Sequence, residues 1–211
     1  ILSKESGVIT GLILCTLRHY SKEQSMETVK LVEEFKGKGV LGFDIAADEA
    51  GYPLDNHIDA FKYAVQNDIN CTAHAGEAKG PESIWETIDK LKVKRIGHGV
   101  NCMKDPKLVK FLSENNYHLE VCVSSNIKTK TFNKIEDHPI SQINESSISM
   151  SINTDGRTIS DTDLTNEYKL VSKKFGWSIE EFKKCNLEAI KHAFVSDEIK
   201  TQLSERINKE Y

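Results

Sequence analysis

The sequence predicts an α/β fold in which a parallel sheet is covered by helices on both faces. Two observations lead to this prediction. Short apolar, β-branched runs alternate with helical patterns six times along the 211 residues. Most of these runs are continuously apolar rather than alternating, which is typical of parallel strands buried on both sides. The sequence shows no linker, internal repeat or low-complexity segment, so we expect a single domain over residues 1–211.

The first predicted strand covers residues 7–15 and ends near His19, where the sequence becomes polar. We expect this strand to be buried. A helix follows over residues 21–36, with Ser21 placed to cap its N-terminus and Gly37 placed to end it.

Two further strand–helix units follow. The second strand, Val40–Ala46, ends in an acidic loop over residues 47–49, and residues 56–66 form its helix. The third strand covers residues 69–73, and the helix Pro81–Leu91 begins with Pro in its first turn. The remaining predicted elements are a strand over residues 95–100, a helix Pro106–Glu114, a strand over 119–123 closed by a loop at 124–126, a short helix over 140–143, a strand over 148–152, and helices over 164–211 with a break at 176–178.

Composition narrows the class of protein. Hydrophobic residues make up 38% and charged residues 28%, which is ordinary for a soluble globular protein. The net charge of −4, without a block of like charges, argues against nucleic acid as the main partner. No apolar run approaches the roughly 20 residues of a membrane span. The five scattered cysteines favour reduced thiols in a cytoplasmic protein.

Polar residues capable of chemistry follow the ends of the predicted strands. They are His19, Asp48, His74, Glu77, His98, Ser124, Asn126 and Asp155. In a β/α barrel the C-terminal ends of all strands meet at one mouth, so these side chains could meet although they are distant in sequence. Imidazole and carboxylate groups are good zinc ligands, and the remaining Glu and His could transfer protons.

Three motifs carry a resemblance to a known family. His74-Ala75-Gly76-Glu77, the run Gly97-His98-Gly99, and residues 151–155 (SINTD), in this order and spacing, resemble the adenosine deaminases, especially the bacterial ones, within the metal-dependent hydrolase superfamily. Residues 42–49, 80–85 and 124–127 fit the same resemblance, which extends over nearly the whole chain.

The resemblance implies a zinc-dependent (β/α)8 TIM barrel that converts adenosine or 2′-deoxyadenosine to inosine or deoxyinosine and ammonia, in purine salvage. His74 and Asp155 would be metal ligands. Glu77 would donate a proton to purine N1, and His98 would orient the attacking water and help to deprotonate it. The backbone N–H of Ala47, at a position usually occupied by Gly, would contact the purine.

The chain departs from the family in two places. The family commonly has a second Asp directly after the metal-binding Asp, where it holds the N7 side of the purine, and this chain has Gly156 there. The family's first strand also supplies a His-x-His pair of zinc ligands, which this chain lacks. Its first strand resembles the family's third, so we expect six of the eight strand–helix units. We therefore expect residues 1–211, which begin without Met or a signal peptide, to be the C-terminal three-quarters of one barrel domain, and a missing N-terminal segment to complete it. We expect this chain alone to be inactive.

Two alternatives stay open. The protein could be a related barrel deaminase acting on adenine, AMP or a modified purine. It could also be an inactive fragment or a non-catalytic protein with a doubly wound open sheet. Asp48 and Glu49 could form a solvated acidic loop, and His19 remains unassigned. We expect the other histidines, on helices or loops, to be structural or surface residues: His57, His118, His138 and His192.

Overall fold

The computed structural model describes residues 7–211. The chain start over residues 1–4, which bears on the expected N-terminal segment, lies outside the described residues. Within the described range six strands alternate with helices, as predicted. The strands are β1 Leu12–Leu17, β2 Val40–Ala46, β3 Thr72–Ala75, β4 Arg95–His98, β5 His118–Val121 and β6 Ser149–Ile152.

The spatial order of the strands follows their order in the chain. β1 pairs with β2, and β3 to β6 pair consecutively, all in parallel. A bridge between Phe43 and Cys71 joins β2 to β3, where the N–H of Phe43 donates to the carbonyl of Asn70 at 2.9 Å. A doubly wound sheet requires a reversal of strand order, so that alternative is wrong. Sequential parallel strands are the arrangement of a β/α barrel.

The helices confirm most of the predicted bounds. Ser21 caps the first helix in a capping box with Gln24. Two short helices, α5 Val123–Lys128 and α7 Arg157–Ser160, were not predicted, and α5 places Ser124 and Asn126 on a helix rather than in a loop. The helices are α1 Lys22–Phe35, α2 Ile58–Gln66, α3 Pro81–Leu91, α4 Pro106–Glu114, α5 Val123–Lys128, α6 Ile140–Glu145, α7 Arg157–Ser160, α8 Leu164–Phe175, α9 Ile179–His192 and α10 Asp197–Glu210.

The first strand differs from the prediction in position and in burial. It begins at Leu12 rather than at residue 7, and Leu12 is 63% exposed. Val8 and Ile9, which precede it, are exposed as well. Among residues 7–211, β1 lies at the end of the strand order and pairs on one side only, with β2. An apolar run at this edge is therefore not covered as a central strand would be.

Buried side chains hold the strands against the helices. One apolar cluster surrounds β3 to β6 and includes Ile96, Leu119 and Met150, and a second surrounds β2 and includes Phe43 and Phe61. All five cysteines are free thiols, three of them buried and two half-buried. No helix in residues 7–211 has the length and apolar character needed to cross a membrane.

Candidate active site

The C-terminal ends of β3 and β4 bring three of the predicted site residues together. His74 lies in β3 and Glu77 in the loop that follows, while His98 ends β4. The ring centroids of His74 and His98 are 5.2 Å apart in an edge-to-face contact. Nε2 of His98 lies 3.5 Å from Oε2 of Glu77. Two imidazoles and a carboxylate therefore share one site, as the strand-end positions predicted.

Asp155 follows β6 and faces the same cluster. Its Oδ2 accepts a hydrogen bond from the Ser125 hydroxyl at 2.7 Å. Burial opposes protonation of His74, but the charges of Asp44, Glu120 and Asp155 outweigh it and raise the pKa of His74 to about 9. The charge of Asp155 also acts on His98, whose pKa is lowered overall because burial disfavours the imidazolium.

Asp44 orients His74. Its carboxylate oxygens lie 3.3 and 3.2 Å from Nδ1 of His74, so Nε2 is the ring nitrogen left to face the site. Asp44 lies within β2 and is only 8% exposed. The functional role of Asp44 was missed in the sequence, although a carboxylate inside an otherwise apolar strand is a usable signal, because buried charges need partners.

Glu49 stabilises the loop that contains Glu77 through hydrogen bonds. Its carboxylate accepts backbone N–H groups of all four residues 76–79 at 2.6–3.1 Å, and the Ser83 hydroxyl as well. Burial disfavours the charged form, but these hydrogen bonds outweigh burial and lower the pKa of Glu49. Glu49 is 5% exposed, so the solvated-loop interpretation is wrong for this residue. It holds for Asp48, which is exposed and accepts the N–H of Gly51.

Glu77 is held from a second side by α5 and the residue after it. Oε1 of Glu77 accepts the side-chain amide of Asn126 at 3.2 Å and the hydroxyl of Thr129 at 3.0 Å. The carboxylate therefore has one oxygen fixed by two donors and the other directed towards His98.

Backbone conformation is unusual at three of the predicted positions. Ala47, His98 and Asp155 have φ angles of +78°, +60° and +56°, in the left-handed region that favours Gly. Gly156, which is also a predicted site residue, has an ordinary φ of −63° and lies at the N-cap position of α7. A Cβ built on Gly156 would lie 3.6 Å from its nearest neighbour, on Ile159, so a side chain fits there.

Comparison with known proteins identifies the family. Residues 3–210 match the adenosine deaminase family. The chain belongs to the adenosine deaminase family. It is 34% identical over 202 residues to an adenosine deaminase of Clostridium acetobutylicum, covering 96% of this chain and 60% of that protein. It is 35% identical over 208 residues to mouse adenosine deaminase, covering 97% of this chain and 59% of that protein. The chain thus spans about 60% of the length of these relatives.

Solved structures of deaminases share the fold. An adenine deaminase from Arthrobacter aurescens superposes with a TM-score of 0.90 at 25% identity, covering 98% of this chain and 63% of that one. The Arabidopsis N6-mAMP deaminase superposes with a TM-score of 0.86 at 31% identity, covering 94% of this chain and 59% of that one. A Burkholderia ambifaria amidohydrolase with bound Zn superposes with a TM-score of 0.91 at 22% identity, covering 99% of this chain and 58% of that one. At this low identity the likeness bears on the fold alone. The predicted TIM-barrel class is confirmed, and this chain forms part of the barrel.

The donor set of this adenosine deaminase family member fits part of a zinc site. His74 presents Nε2 while a carboxylate holds its Nδ1, which is the usual environment of a metal-binding His. Asp155 adds a carboxylate from β6. Within residues 7–211 no group of three or more His, Cys, Asp or Glu side chains could hold a metal ion. The described residues thus offer these two donors rather than a complete site.

The other histidines lie outside this group or serve it indirectly. His19 is exposed and contacts the rings of Tyr20 and Tyr52. His57 and His118 are buried and hydrogen-bonded, as expected of structural residues, although His118 begins β5 rather than lying on a helix or loop. His138 was assigned only a structural or surface role, and it contacts Asn126 behind the site.

Proposed function

We propose that the protein is a zinc-dependent hydrolase that deaminates adenosine or 2′-deoxyadenosine to inosine or deoxyinosine and ammonia, in purine metabolism. The observation that carries the proposal is the convergence of His74, Glu77 and His98 at the strand ends of an adenosine deaminase family member. Replacing the C6 amino group requires a water to add at C6, a proton to reach N1, and ammonia to leave.

His74 and Asp155 would hold the zinc ion. A bound zinc ion lowers the pKa of water to about 7, which supplies hydroxide at neutral pH. Family membership and the Asp44–His74 pair support this assignment. Further ligands are needed to complete the site, because zinc in catalytic sites has three protein ligands.

The remaining site residues position and protonate the purine. Glu77 gives its proton to N1 as negative charge builds up there, and Asn126 and Thr129 fix its second oxygen. His98 orients the attacking water. The N–H of Ala47, which its left-handed backbone turns out of the strand, contacts the purine edge.

A second candidate is deamination of adenine, AMP or a modified purine by the same site. The structural relatives named for adenine and for N6-mAMP favour it. In either case the partner is a small purine compound rather than nucleic acid. The five free cysteines support a reducing, cytoplasmic location.

Ammonia release tests the proposal, measured on purified protein supplied with zinc and with the N-terminal segment that is expected to complete the barrel. Adenosine, deoxyadenosine, adenine, AMP and N6-methyl-AMP are compared, and the proposal fails if none of them is deaminated. Glu77→Gln should keep bound zinc yet lose more than the ~10²–10⁴-fold of one proton transfer, because N1 polarisation is lost as well. Glu114→Gln, an exposed carboxylate on α4, is the matched control and should change nothing. Substantial activity in Glu77→Gln would refute the role of that residue.

A further inference from the structure

A buried chain of hydrogen bonds runs from the start of α6 to the active site. The N–H of Ile140 donates to Nδ1 of His138 at 3.2 Å. Nε2 of His138 lies 3.2 Å from Oδ1 of Asn126, and Nδ2 of Asn126 lies 3.1 Å from Nδ1 of His98. His138, Asn126 and His98 are each at most 3% exposed, so water does not compete for these contacts.

The first link sets the direction of the chain. A backbone N–H can only donate, so Nδ1 of His138 must accept and carries no proton. Burial, and the neighbouring His98, lower the pKa of His138 to about 3, so its ring is neutral at neutral pH. The single ring proton of His138 is therefore on Nε2, where it donates to Oδ1 of Asn126.

The contact between Asn126 and His98 has the same direction, and the hydrogen bond from Asn126 to Glu77 supports it. With Oδ1 of Asn126 facing His138, the amide nitrogen of Asn126 faces His98, and it also donates to Oε1 of Glu77 at 3.2 Å. Rotating the amide of Asn126 by 180° would set its oxygen against that carboxylate oxygen and its NH2 against the N–H of His138. Both ends would lose a hydrogen bond and gain a repulsive contact, and buried groups without a partner are destabilising.

We propose that His138 and Asn126 are positioning residues that hold His98 as the tautomer protonated on Nε2. In this state Nδ1 of His98 accepts from Asn126, and the N–H at Nε2 points to the side of the site where Oε2 of Glu77 lies, 3.5 Å away. A neutral ring in this tautomer can donate to an oxygen but has no free acceptor. The family resemblance implies two roles for His98, to orient the attacking water and to help deprotonate it. The tautomer protonated on Nε2 supports the first role and not the second.

The catalytic consequence rests on the proposed function, whereas the tautomer does not. The tautomer is read from the ¹⁵N resonances of protein whose histidine ring nitrogens are labelled. We expect Nε2 of His98 to give a pyrrole-type shift and Nδ1 a pyridine-type shift. A pyrrole-type Nδ1 or an imidazolium at neutral pH would overturn the proposal, whether or not the protein turns over any purine.

Three variants separate positioning from packing. His138→Leu removes the donor to Asn126, so the amide can rotate, and we expect both tautomers of His98 in the spectrum. His138→Gln can still accept from Ile140 and donate to Asn126, and it should restore the single tautomer. His118→Leu removes an equally buried histidine from the start of β5 and should leave the His98 resonances unchanged.

Turnover supplies the second measurement. For His138→Leu we expect kcat to fall by about 10–100-fold, as for other residues that orient a site side chain, with KM little changed. His138→Gln should recover most of this loss. If His138→Leu keeps both the single tautomer and the wild-type kcat, the proposal is wrong. A wild-type protein with the expected tautomer but no deaminase activity would instead refute the proposed function.

Discussion

Replacing Glu49 by Gln is expected to destabilise the active-site loop severely. The carboxylate of Glu49 accepts five hydrogen bonds, four of them from the N–H groups of residues 76–79 and one from Ser83. Oε1 accepts from Gly76 and Ser83, and Oε2 accepts from residues 77–79. A glutamine of the same shape has one acceptor oxygen and no charge, so one of these two groups must lose its acceptor.

The cost follows from the better of the two amide orientations. If the NH2 replaces Oε1, the Ser83 hydroxyl can reverse and accept, but the N–H of Gly76 faces a donor, at about 1–3 kcal/mol. The three remaining N–H bonds to residues 77–79 change from charge-assisted to neutral, at about 1 kcal/mol each. The sum is about 4–6 kcal/mol, a large share of the about 5–15 kcal/mol that stabilises a typical protein.

Denaturant unfolding and amide exchange measure this loss. Glu49→Gln should lower the free energy of unfolding and accelerate exchange of the amides of residues 76–79. Ser83→Ala removes one hydrogen bond to the carboxylate and should cost about 1.5–3 kcal/mol. Glu82→Gln alters a neighbouring exposed carboxylate that accepts from Gly80 and should cost under about 1 kcal/mol. Unchanged stability and unchanged loop protection in Glu49→Gln would refute the reasoning.

Three further expectations follow from backbone strain, free space and burial. Ala47→Gly should raise stability by up to about 1.6 kcal/mol, because it removes a left-handed penalty of about 1–2 kcal/mol and adds an unfolded-chain entropy cost of about 0.4–1 kcal/mol. A fall in Tm, as expected for Ala189→Gly inside α9, would contradict this. Gly156→Asp should fold normally and increase discrimination against 7-deazaadenosine, measured as the ratio of kcat/KM values; an unchanged ratio would show that another group contacts N7. Burial lowers the pKa of His118 to about 2, so protonation of the unfolded state below its ordinary pKa of 6.5 should remove about 2 kcal/mol of stability between about pH 7 and pH 5. Urea titrations should show a smaller loss in His118→Asn.

The helices that the sequence predicts best have local boundary signals. Pro81–Leu91 and Pro106–Glu114 occur with the predicted bounds because Pro in the first turn marks each start. The strand Val40–Ala46 is confirmed as well, between Gly39 and the acidic loop. The bounds and burial of β1 were wrong because they depend on which strand lies beside it, and hydropathy cannot supply that information.

The candidate site likewise contains features that the sequence predicts and features that only the tertiary fold determines. Residues that carry the chemistry, such as His74 and Glu77, follow strand ends and could be found from their positions and motifs. The contacts that hold these residues in place could not be predicted, even where the partner residue, such as Asn126, was a candidate in its own right. Glu49 contacts a loop 27–30 positions later in the chain, and Asn126 contacts Glu77 at a separation of 49. Such pairs are determined by the tertiary fold, and a single sequence contains no signal for them.

Residues with a strained backbone carry part of the chemistry, and they depend on the residues that hold them in place. A non-Gly residue in the left-handed region costs about 1–2 kcal/mol, yet Ala47, His98 and Asp155 all adopt it at the ends of separate strands. Such strain persists only where surrounding contacts over-determine the conformation, and it concentrates at functional sites. Here Asn126 holds the ring of His98, and Ser125, its neighbour on α5, holds the carboxylate of Asp155. The short helix that the sequence did not predict therefore supports two of the three strained residues, and shortening it should release both together.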